Sequence, residues 1–306
     1  MYGAIIGDIV GSKYEFCNIK TKEFPLFSKG CDYTDDTIMT VAVARAIIKS
    51  REEQYKTNGK GKTLREFMIE EMQSLGRKYP YPKGAYGGNF SVWLRTDNPI
   101  PYNSCGNGSA MRVSPCGIAA VTLEEAEAAA YISAEVSHNH PEGIKGAKAV
   151  AGAVFLAKAG ASKDEIREYI TKNYYPLDFT IDEIRPTYDF DALCQGSVPQ
   201  AIEAFLESTS FEDAIRNIIS IGGDCDTTGA ITGAVAWAYY TSRNLGVINE
   251  DMEIIRQQAI QFLPNEFVET ADLLKQVSSH RAGTYDRTGF CTPLMTEKEW
   301  NRVRSC

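Results

Sequence analysis

The sequence predicts an all-α protein built from many helices. Two observations carry this prediction: helix-start signals recur along the chain, and stretches with the alternating pattern of strands are nearly absent. The start signal is a Ser or Thr followed three residues later by Glu or Asp, whose hydroxyl and carboxylate cap backbone amides reciprocally. It occurs at Thr63–Glu66, Thr122–Glu125, Ser162–Glu165, Thr180–Glu183, Ser210–Asp213 and Thr296–Glu299.

Apolar residues follow these starts at helical spacing, as in Phe67, Met72 and Leu75. The stretch 143–157 is rich in Ala and Gly, and it predicts a buried central helix because small residues let helices approach closely. The strand candidate Phe179–Ile181 is also explained by a helix cap. We predict helices near residues 2–11, 35–49, 64–78, 109–120, 123–137, 142–159, 163–173, 197–207, 211–220, 226–242, 250–261 and 265–276, and a final short helix.

The chain has 306 residues, of which 43% are hydrophobic, and it can therefore bury a large core. Pro and Gly are dispersed, and no low-complexity segment, single-sign charge block or fixed repeat marks a linker or an array. We expect one compact domain over residues 1–306 and a monomer. Residues 281–306 form a C-terminal extension to which the sequence assigns no role.

Composition also limits the location and the partners. The first residues carry Asp8 where a signal peptide would need basic residues, and no stretch approaches the roughly 20 apolar residues of a membrane span. The eight cysteines form no C-x-x-C pair, so we expect a soluble protein of the reducing cytoplasm without a zinc site. A net charge of −8 argues against nucleic-acid binding through a basic surface. An anionic small molecule remains compatible, because metals and helix N-termini create local positive fields.

A first acidic cluster, Thr34, Asp35 and Asp36, introduces an apolar helix. One interpretation is a helix start, in which Thr34 is the N-cap and each carboxylate near the positive end of the helix dipole contributes about 0.3 to 1 kcal/mol. The other interpretation is a set of metal ligands. The local pattern leaves both open.

A second cluster places Asp224, Asp226 and Thr227 on a glycine-flanked turn that enters another apolar helix. Carboxylate and hydroxyl oxygens without a neighbouring His are ligands for hard cations, so Mg²⁺ or Mn²⁺ is favoured over Zn²⁺. The pattern of an EF-hand loop is absent. Cys225 is expected to be a small buried residue that points away. If the two clusters converge, their carboxylates could hold two cations and activate water.

Five motifs in one order resemble the ADP-ribosylglycohydrolases, a family that includes the dinitrogenase reductase-activating glycohydrolase and the ADP-ribosylarginine and ADP-ribosylserine hydrolases. The motifs are Gly7–Glu15, Tyr33–Thr37, Gly106–Arg112, Ser137–His138 and Gly223–Gly229. The resemblance implies an all-α fold with a binuclear magnesium or manganese centre at the base of a cleft that accepts ADP-ribose. It implies the metal ligands Thr34, Asp35, Asp36, Asp224, Asp226 and Thr227, with Thr228 the neighbour that is hardest to exclude.

The resemblance also implies roles in catalysis and substrate binding. Glu15 would lie near the metals and position or deprotonate water, with Asp35 and Asp36 as further catalytic residues. The loop from Gly106 would wrap ribose and diphosphate, because glycines permit close approach and helix-start amides bind phosphate. The implied substrate-binding residues are Tyr86, Gly106, Asn107, Gly108, Ser109 and His138.

Without the resemblance, each of these residues has a simpler interpretation. Glu15 is then a surface glutamate, Gly106–Gly108 a turn, and His138 a helix C-terminal cap. Phe90 and Trp93 lie in a further matching segment, where aromatic rings could stack on adenine, but core packing is favoured for both.

The leading hypothesis is a metal-dependent hydrolase that cleaves the glycosidic bond between ADP-ribose and a modified acceptor and releases ADP-ribose. A non-catalytic ADP-ribose-binding protein on the same scaffold and a two-metal phosphoesterase are the alternatives. The acceptor is not readable from the residues, although loops 80–105 and 174–196 are expected to set it.

Overall fold

A computed structural model of the chain describes residues 1–244, 246–278 and 294–305. These residues form α-helices and two short 3₁₀ segments, Asn107–Ser109 and Ile260–Phe262, with no β-strand among them. The helices are α1 (Tyr2–Gly11), α2 (Asp35–Thr57), α3 (Leu64–Lys78), α4 (Gly88–Arg95), α5 (Ser114–Ala119), α6 (Leu123–Glu135), α7 (Pro141–Ala159), α8 (Lys163–Asn173), α9 (Ile181–Ile184), α10 (Cys194–Leu206), α11 (Phe211–Ile219), α12 (Cys225–Arg243), α13 (Glu250–Ala259), α14 (Asn265–Ser278) and α15 (Glu297–Arg304). The predicted all-α class is confirmed.

All six helix-start signals are N-caps whose hydroxyl accepts the predicted backbone amide. Four of them are complete capping boxes, at α3, α8, α9 and α15. At α6 and α11 the acid reaches one residue further back, because Val121 N donates to Glu125 and Thr209 N donates to Asp213, both at 2.8 Å. The strand candidate at 179–181 is therefore the start of α9.

The boundaries differ from prediction at several places. The helix predicted at 35–49 continues to Thr57, and the helix predicted at 197–207 begins at Cys194. The helix predicted at 109–120 is a 3₁₀ turn at Asn107–Ser109 followed by the separate α5, in whose first turn Pro115 lies. Proline is well placed there because the first amides of a helix have no intrahelical partner. The eight-residue α4 was not predicted. The predicted final helix is α15, while residues 281–293 and 306 of the expected extension lie outside the described residues.

The centre of the fold is the contact between α1 and α12, which cross with their backbones touching. A Cβ atom on Gly3 would lie 2.0 Å from the carbonyl oxygen of Gly233, and one on Gly7 would lie 1.9 Å from that of Gly229. Real Cβ atoms do not approach a backbone oxygen this closely, so only glycine fits at these positions. The glycines recur every four residues, which places them on one face of each helix.

The same contact continues to the C-terminal end of α1. A Cβ on Gly11 would lie 2.1 Å from the carbonyl oxygen of Cys225, the first residue of α12. The antiparallel crossing thus brings the end of α1, which carries Asp8, against the start of α12, which carries Asp226. Cys225 is fully buried in this contact, as predicted.

The second buried helix is α7, the Ala- and Gly-rich stretch, which packs against α5, α6, α10 and α12. The structure therefore confirms the predicted central helix. None of the described helices combines the length and the apolar character that crossing a membrane requires.

We expect Gly7→Ala to lower the free energy of unfolding by about 3 kcal/mol or more, because the added methyl group forces α1 and α12 apart. Urea denaturation followed by circular dichroism measures the loss. Gly88→Ala is the matched control, since a Cβ there meets nothing within 4 Å in the first turn of α4. Equal unfolding midpoints for the two variants would contradict the backbone contact.

Candidate metal centre and cleft

The N-termini of α2 and α12 open onto one cleft with a volume of about 400 Å³. The loop after α1, the segment before α4 and the loop from Gly106 form its walls. Most of the residues that the sequence indicated line it, namely Glu15, Asp35, Asp36, Tyr86, Gly106, Asn107, Gly108, His138, Asp224, Asp226 and Thr227. Thr34 and Ser109 lie behind its surface, fully buried.

Asp8 ties the first helix to the start of α2. Its Oδ2 accepts hydrogen bonds from the backbone amides of Thr34 and Thr37, both at 3.0 Å, and its Oδ1 accepts one from Thr34 Oγ1 at 2.8 Å. These amides have no partner within α2, so a carboxylate from α1 caps this helix through space. Asp8 was not among the predicted site residues. The sequence offered one indication of its role, which is that Asp8 is a charged residue inside an otherwise apolar helix.

The acidic side chains of the described residues meet in two groups. Carboxylate oxygens of Asp8, Asp36 and Asp226 lie within 4.8 Å of one another, and those of Glu15, Asp224 and Asp226 do the same. Asp226 belongs to both groups. The structure thus brings the two distant acidic clusters of the sequence together.

Several oxygens of these groups have no hydrogen-bond partner although they are buried. They are Asp36 Oδ1, Asp226 Oδ1 and Glu15 Oε2. Buried polar atoms are nearly always paired, and an unpaired carboxylate oxygen is the most costly kind to leave so. Because the donors are all hard oxygens, the residues fit one or more divalent cations such as Mg²⁺ or Mn²⁺.

The pKa values of these acids are raised, as expected for carboxylates that share a dry site. Burial raises the pKa of Asp8 and of Asp224 to about 6. Burial, and then the charge of Asp226, raise the pKa of Glu15 to about 8. The pKa values of Asp36 and Asp226 are raised well above the usual range by burial and by neighbouring carboxylates.

The two threonines that follow Asp226 in the second cluster behave differently. Thr227 Oγ1 donates to Asp36 Oδ2 at 3.2 Å and so links α12 to α2. Thr228 Oγ1 donates to the carbonyl oxygen of Asp224 at 2.7 Å, which turns it back into its own helix and away from the cleft. Asp35 lines the cleft half-buried, but it belongs to neither group of acids.

The Gly106–Ser109 loop is held against the acids and against α7. Asn107 Nδ2 donates to Asp224 Oδ2 at 2.8 Å, while its backbone amide donates to the carbonyl of Ala192 at 2.8 Å. Ser109 Oγ donates to the carbonyl of Gly143 at 2.7 Å, so its side chain anchors the loop and does not face the cleft.

Aromatic side chains form a further wall of the cleft. The Tyr86 hydroxyl donates to the carbonyl of Tyr79 at 2.9 Å, which leaves its ring as the cleft surface. Phe90 stacks on Trp93 with ring centroids 5.4 Å apart, and both are buried. Trp93 is core, as expected, whereas Phe90 packs in the core and also lines the cleft.

His138 lies at the end of this wall. Its Nδ1 is 2.8 Å from Ser137 Oγ, and the same hydroxyl oxygen accepts a hydrogen bond of 2.8 Å from Arg112 Nη2. Arg112 is fully buried and lines the cleft. It was not among the predicted site residues, although an arginine between Ala110 and Val113 is a signal that the sequence offered.

The fold and the site define a class of all-α proteins with a carboxylate-rich centre at the base of a cleft. The family model for ADP-ribosylglycohydrolase matches residues 1–262. The chain belongs to the ADP-ribosylglycohydrolase family and is an enzyme that hydrolyses glycosyl bonds.

Curated relatives agree with this assignment. The chain is 26% identical to the ADP-ribosylarginine hydrolase Tri1 of Pseudomonas putida, over 78% of this chain and 69% of that protein. It is 24% identical to the ADP-ribosylhydrolase ARH3 of Mus musculus, over 78% of this chain and 82% of the relative. A solved ADP-ribosylglycohydrolase-related protein complex shares the fold, with a TM-score of 0.62 and 21% identity over 90% of this chain and 95% of that one.

In the presence of a chelator, we expect the melting temperature to fall as the pH rises from about 4 to about 8. The folded-state pKa values of Asp8, Asp224 and Glu15 lie above their usual values of 3.8, 3.8 and 4.5. The folded protein therefore binds more protons than the unfolded chain, and the associated stability is lost as the pH passes the folded-state pKa values. Differential scanning fluorimetry across this range measures the slope.

Asp226→Asn removes the charge that both groups share. We expect it to raise the melting temperature at pH 8 in chelator and to abolish the stabilisation that millimolar Mg²⁺ gives the unsubstituted protein. Asp97→Asn is the control, because the Asp97 side chain is almost fully exposed. If Asp226→Asn responds to Mg²⁺ as Asp97→Asn does, Asp226 does not bind the cation.

Proposed function

We propose that the protein is a metal-dependent hydrolase that cleaves the bond between C1″ of an ADP-ribosyl group and a modified acceptor, releasing ADP-ribose. The observation that supports it most is the position of Asp226 in two groups of acidic oxygens at the base of one cleft. A single group would serve one cation. Two groups that share a carboxylate have the arrangement expected of a binuclear centre.

The proposed ligands of two cations, Mg²⁺ or Mn²⁺, are Thr34, Asp35, Asp36, Asp224, Asp226 and Thr227. The two threonine hydroxyls suit this role because each donates its proton to a carboxylate, Thr34 to Asp8 and Thr227 to Asp36. Thr34 Oγ1 also accepts the backbone amide of Asp36 at 3.2 Å, which leaves one lone pair of this oxygen for a cation. When bound, the cations supply positive charge that orients the hydroxyls of the distal ribose and lowers the pKa of nearby water.

Glu15 is the proposed acceptor of the proton from the attacking water. It is half-buried beside Asp226, and its Oε2 has no hydrogen-bond partner in the described structure. Burial, and then the charge of Asp226, raise the pKa of Glu15 to about 8 and favour the protonated acid, and positive charge beside Asp226 would lower it. The oxygen of the attacking water then bonds to C1″, and a proton of that water passes to Glu15. The bond between C1″ and the modified acceptor group breaks, and its electron pair leaves with that group. Asp35 and Asp36 assist by holding the centre on α2.

The proposed substrate-binding surface is the wall formed by Tyr86, His138 and the Gly106–Gly108 loop. It can receive a dinucleotide-like ligand because the cleft of about 400 Å³ falls in the range of small-molecule sites. Ser109 contributes by anchoring the loop. Four other expectations stay predictions from composition: a single domain over 1–306, a monomer, a cytoplasmic location and the absence of nucleic-acid partners.

The decisive experiment is turnover of arginine-, serine- and nucleobase-linked ADP-ribosyl substrates with Mg²⁺ and with chelator. We expect release of intact ADP-ribose from at least one substrate, and its loss in chelator. Mass spectrometry of the products separates the alternatives, because a phosphoesterase yields AMP or phosphate. If no substrate releases ADP-ribose, while tight ADP-ribose binding by calorimetry persists after Asp35→Ala and Asp226→Ala, the protein binds without catalysis.

Glu15→Gln tests the proton acceptor. We expect kcat to fall by about 10² to 10⁴, the range for loss of a general base, with little change in the affinity for ADP-ribose. Glu23→Gln is the matched control, because Glu23 is exposed in the same segment after α1 and does not line the cleft. An unchanged kcat in Glu15→Gln would remove Glu15 from the mechanism.

A further inference from the structure

Arg112 is an arginine with no exposed surface in the wall of the cleft. Its Nη2 donates to the carbonyl oxygen of Ser133 at 2.7 Å and to Ser137 Oγ at 2.8 Å. The Phe90 ring faces its guanidinium, with the Cζ atom 5.3 Å from the ring centroid. Burying this cation is costly, and no carboxylate among the described residues forms an ion pair with it. Its Nε and Nη1 have no hydrogen-bond partner in the described structure, and its Nη2 connects through Ser137 to His138.

The direction of each hydrogen bond from Arg112 through Ser137 to His138 follows from which groups can donate. Arginine only donates, so Ser137 Oγ accepts from Arg112. Ser137 is fully buried, and the one remaining partner of its hydroxyl in the described structure is His138 Nδ1 at 2.8 Å. A hydroxyl hydrogen that points to Nδ1 completes the hydrogen bonds of both side chains, whereas a buried hydroxyl that donates to nothing loses a hydrogen bond. Nδ1 is then an acceptor, and the ring proton lies on Nε2.

Nε2 is the nitrogen that faces the ligand side. No described group forms a hydrogen bond with it, and His138 lines the cleft. A Cβ on Gly108 would lie 3.2 Å from Nε2, so the missing side chain keeps this atom accessible. The ring itself is held between Tyr102, at a centroid distance of 5.4 Å, and Phe90, at 6.0 Å.

The protonated form of the ring is disfavoured as well. Burial, and then the positive charge of Arg112, hold the pKa of His138 well below its usual range. At neutral pH the imidazole is therefore uncharged, and only the choice between its two tautomers remains.

We propose that Arg112 and Ser137 are positioning residues that fix neutral His138 as an Nε2–H donor to a diphosphate oxygen of the ADP-ribosyl group. The diphosphate part rests on the proposed function. A phosphate oxygen fits because it is an acceptor only, and because the Gly106–Gly108 backbone and the Arg112 cation lie on the same wall. The role assigned to Arg112 here is positional and rests on its hydrogen bond to Ser137. It acts by holding the Ser137 hydroxyl so that its hydrogen can point only to His138.

The tautomer can be read without activity, from long-range ¹H–¹⁵N spectra of histidine-labelled protein. The chain has three histidines, and His138→Gln identifies the signals of His138 by their loss. We expect a neutral ring protonated on Nε2 at pH 7. Ser137→Ala should change the tautomer or mix the two forms, and Ser137→Thr should restore it. Ser133→Ala is the matched control, because its own hydroxyl has no partner and its carbonyl is kept. It should leave the ring unchanged.

The proposal is overturned if His138 carries its proton on Nδ1, if it is an imidazolium at pH 7, or if Ser137→Ala leaves the tautomer as it was. A changed tautomer in Ser133→Ala would also overturn it, because the effect would then not run through the Ser137 hydroxyl.

Calorimetry with ADP-ribose tests the proposed contact between His138 Nε2 and the diphosphate. We expect Ser137→Ala to weaken binding about tenfold, the size of one hydrogen bond to a charged group, with Ser133→Ala unchanged. Gly108→Ala should weaken binding similarly while the tautomer stays on Nε2. Binding that is equal in all variants overturns the diphosphate contact. A protein that shows the expected tautomers but binds no ADP-ribose would overturn the proposed function and leave the hydrogen-bond chain standing.

Discussion

The backbone contact between α1 and α12 is the constraint on which the rest of this structure depends. Glycines at four-residue spacing let the two helix backbones touch, and at Gly7 and Gly11 the nearest atoms across the contact are all backbone. Such a contact has almost no freedom to slide, because a shift of one residue would place a Cβ against a carbonyl. The register therefore determines where Asp8 and Asp226 lie relative to each other, and with them the base of the cleft.

The acids gathered by this contact destabilise the protein when no cation is present. Their raised pKa values express that cost, since burial and like charge both favour the neutral acid. The scaffold offsets part of it with hydrogen bonds: Asp8 accepts three from the start of α2, and Asp224 accepts one from Asn107. The buried carboxylate oxygens left without partners in the described structure belong to Asp36, Asp226 and Glu15. The carboxylate oxygens that lack a hydrogen-bond partner thus lie where a divalent cation would be held.

The walls of the cleft above the acidic base have a different chemistry. Tyr86, Phe90 and the Gly106 loop supply apolar and backbone surface, and the buried Arg112 supplies the positive charge that the acidic base lacks. The cleft thus combines acidic oxygens at its base with one buried cation in its wall, although the chain as a whole is acidic. This combination suits a ligand that carries both hydroxyls and phosphates, and the net charge of the chain did not indicate it.

Local sequence determined the helices of this protein and most of their starts, because capping at Thr63 or Ser162 and helical apolar spacing act over a few residues. It also indicated Asp36, Asp224 and Asp226 as candidate metal ligands, since two acidic clusters each introduce an apolar helix. What only the tertiary structure decided is which groups meet. Asp8 becomes part of the acidic base through the crossing of α1 and α12, and Arg112 reaches His138 through Ser137. Such meetings depend on packing between distant segments, and no local pattern of residues encodes them.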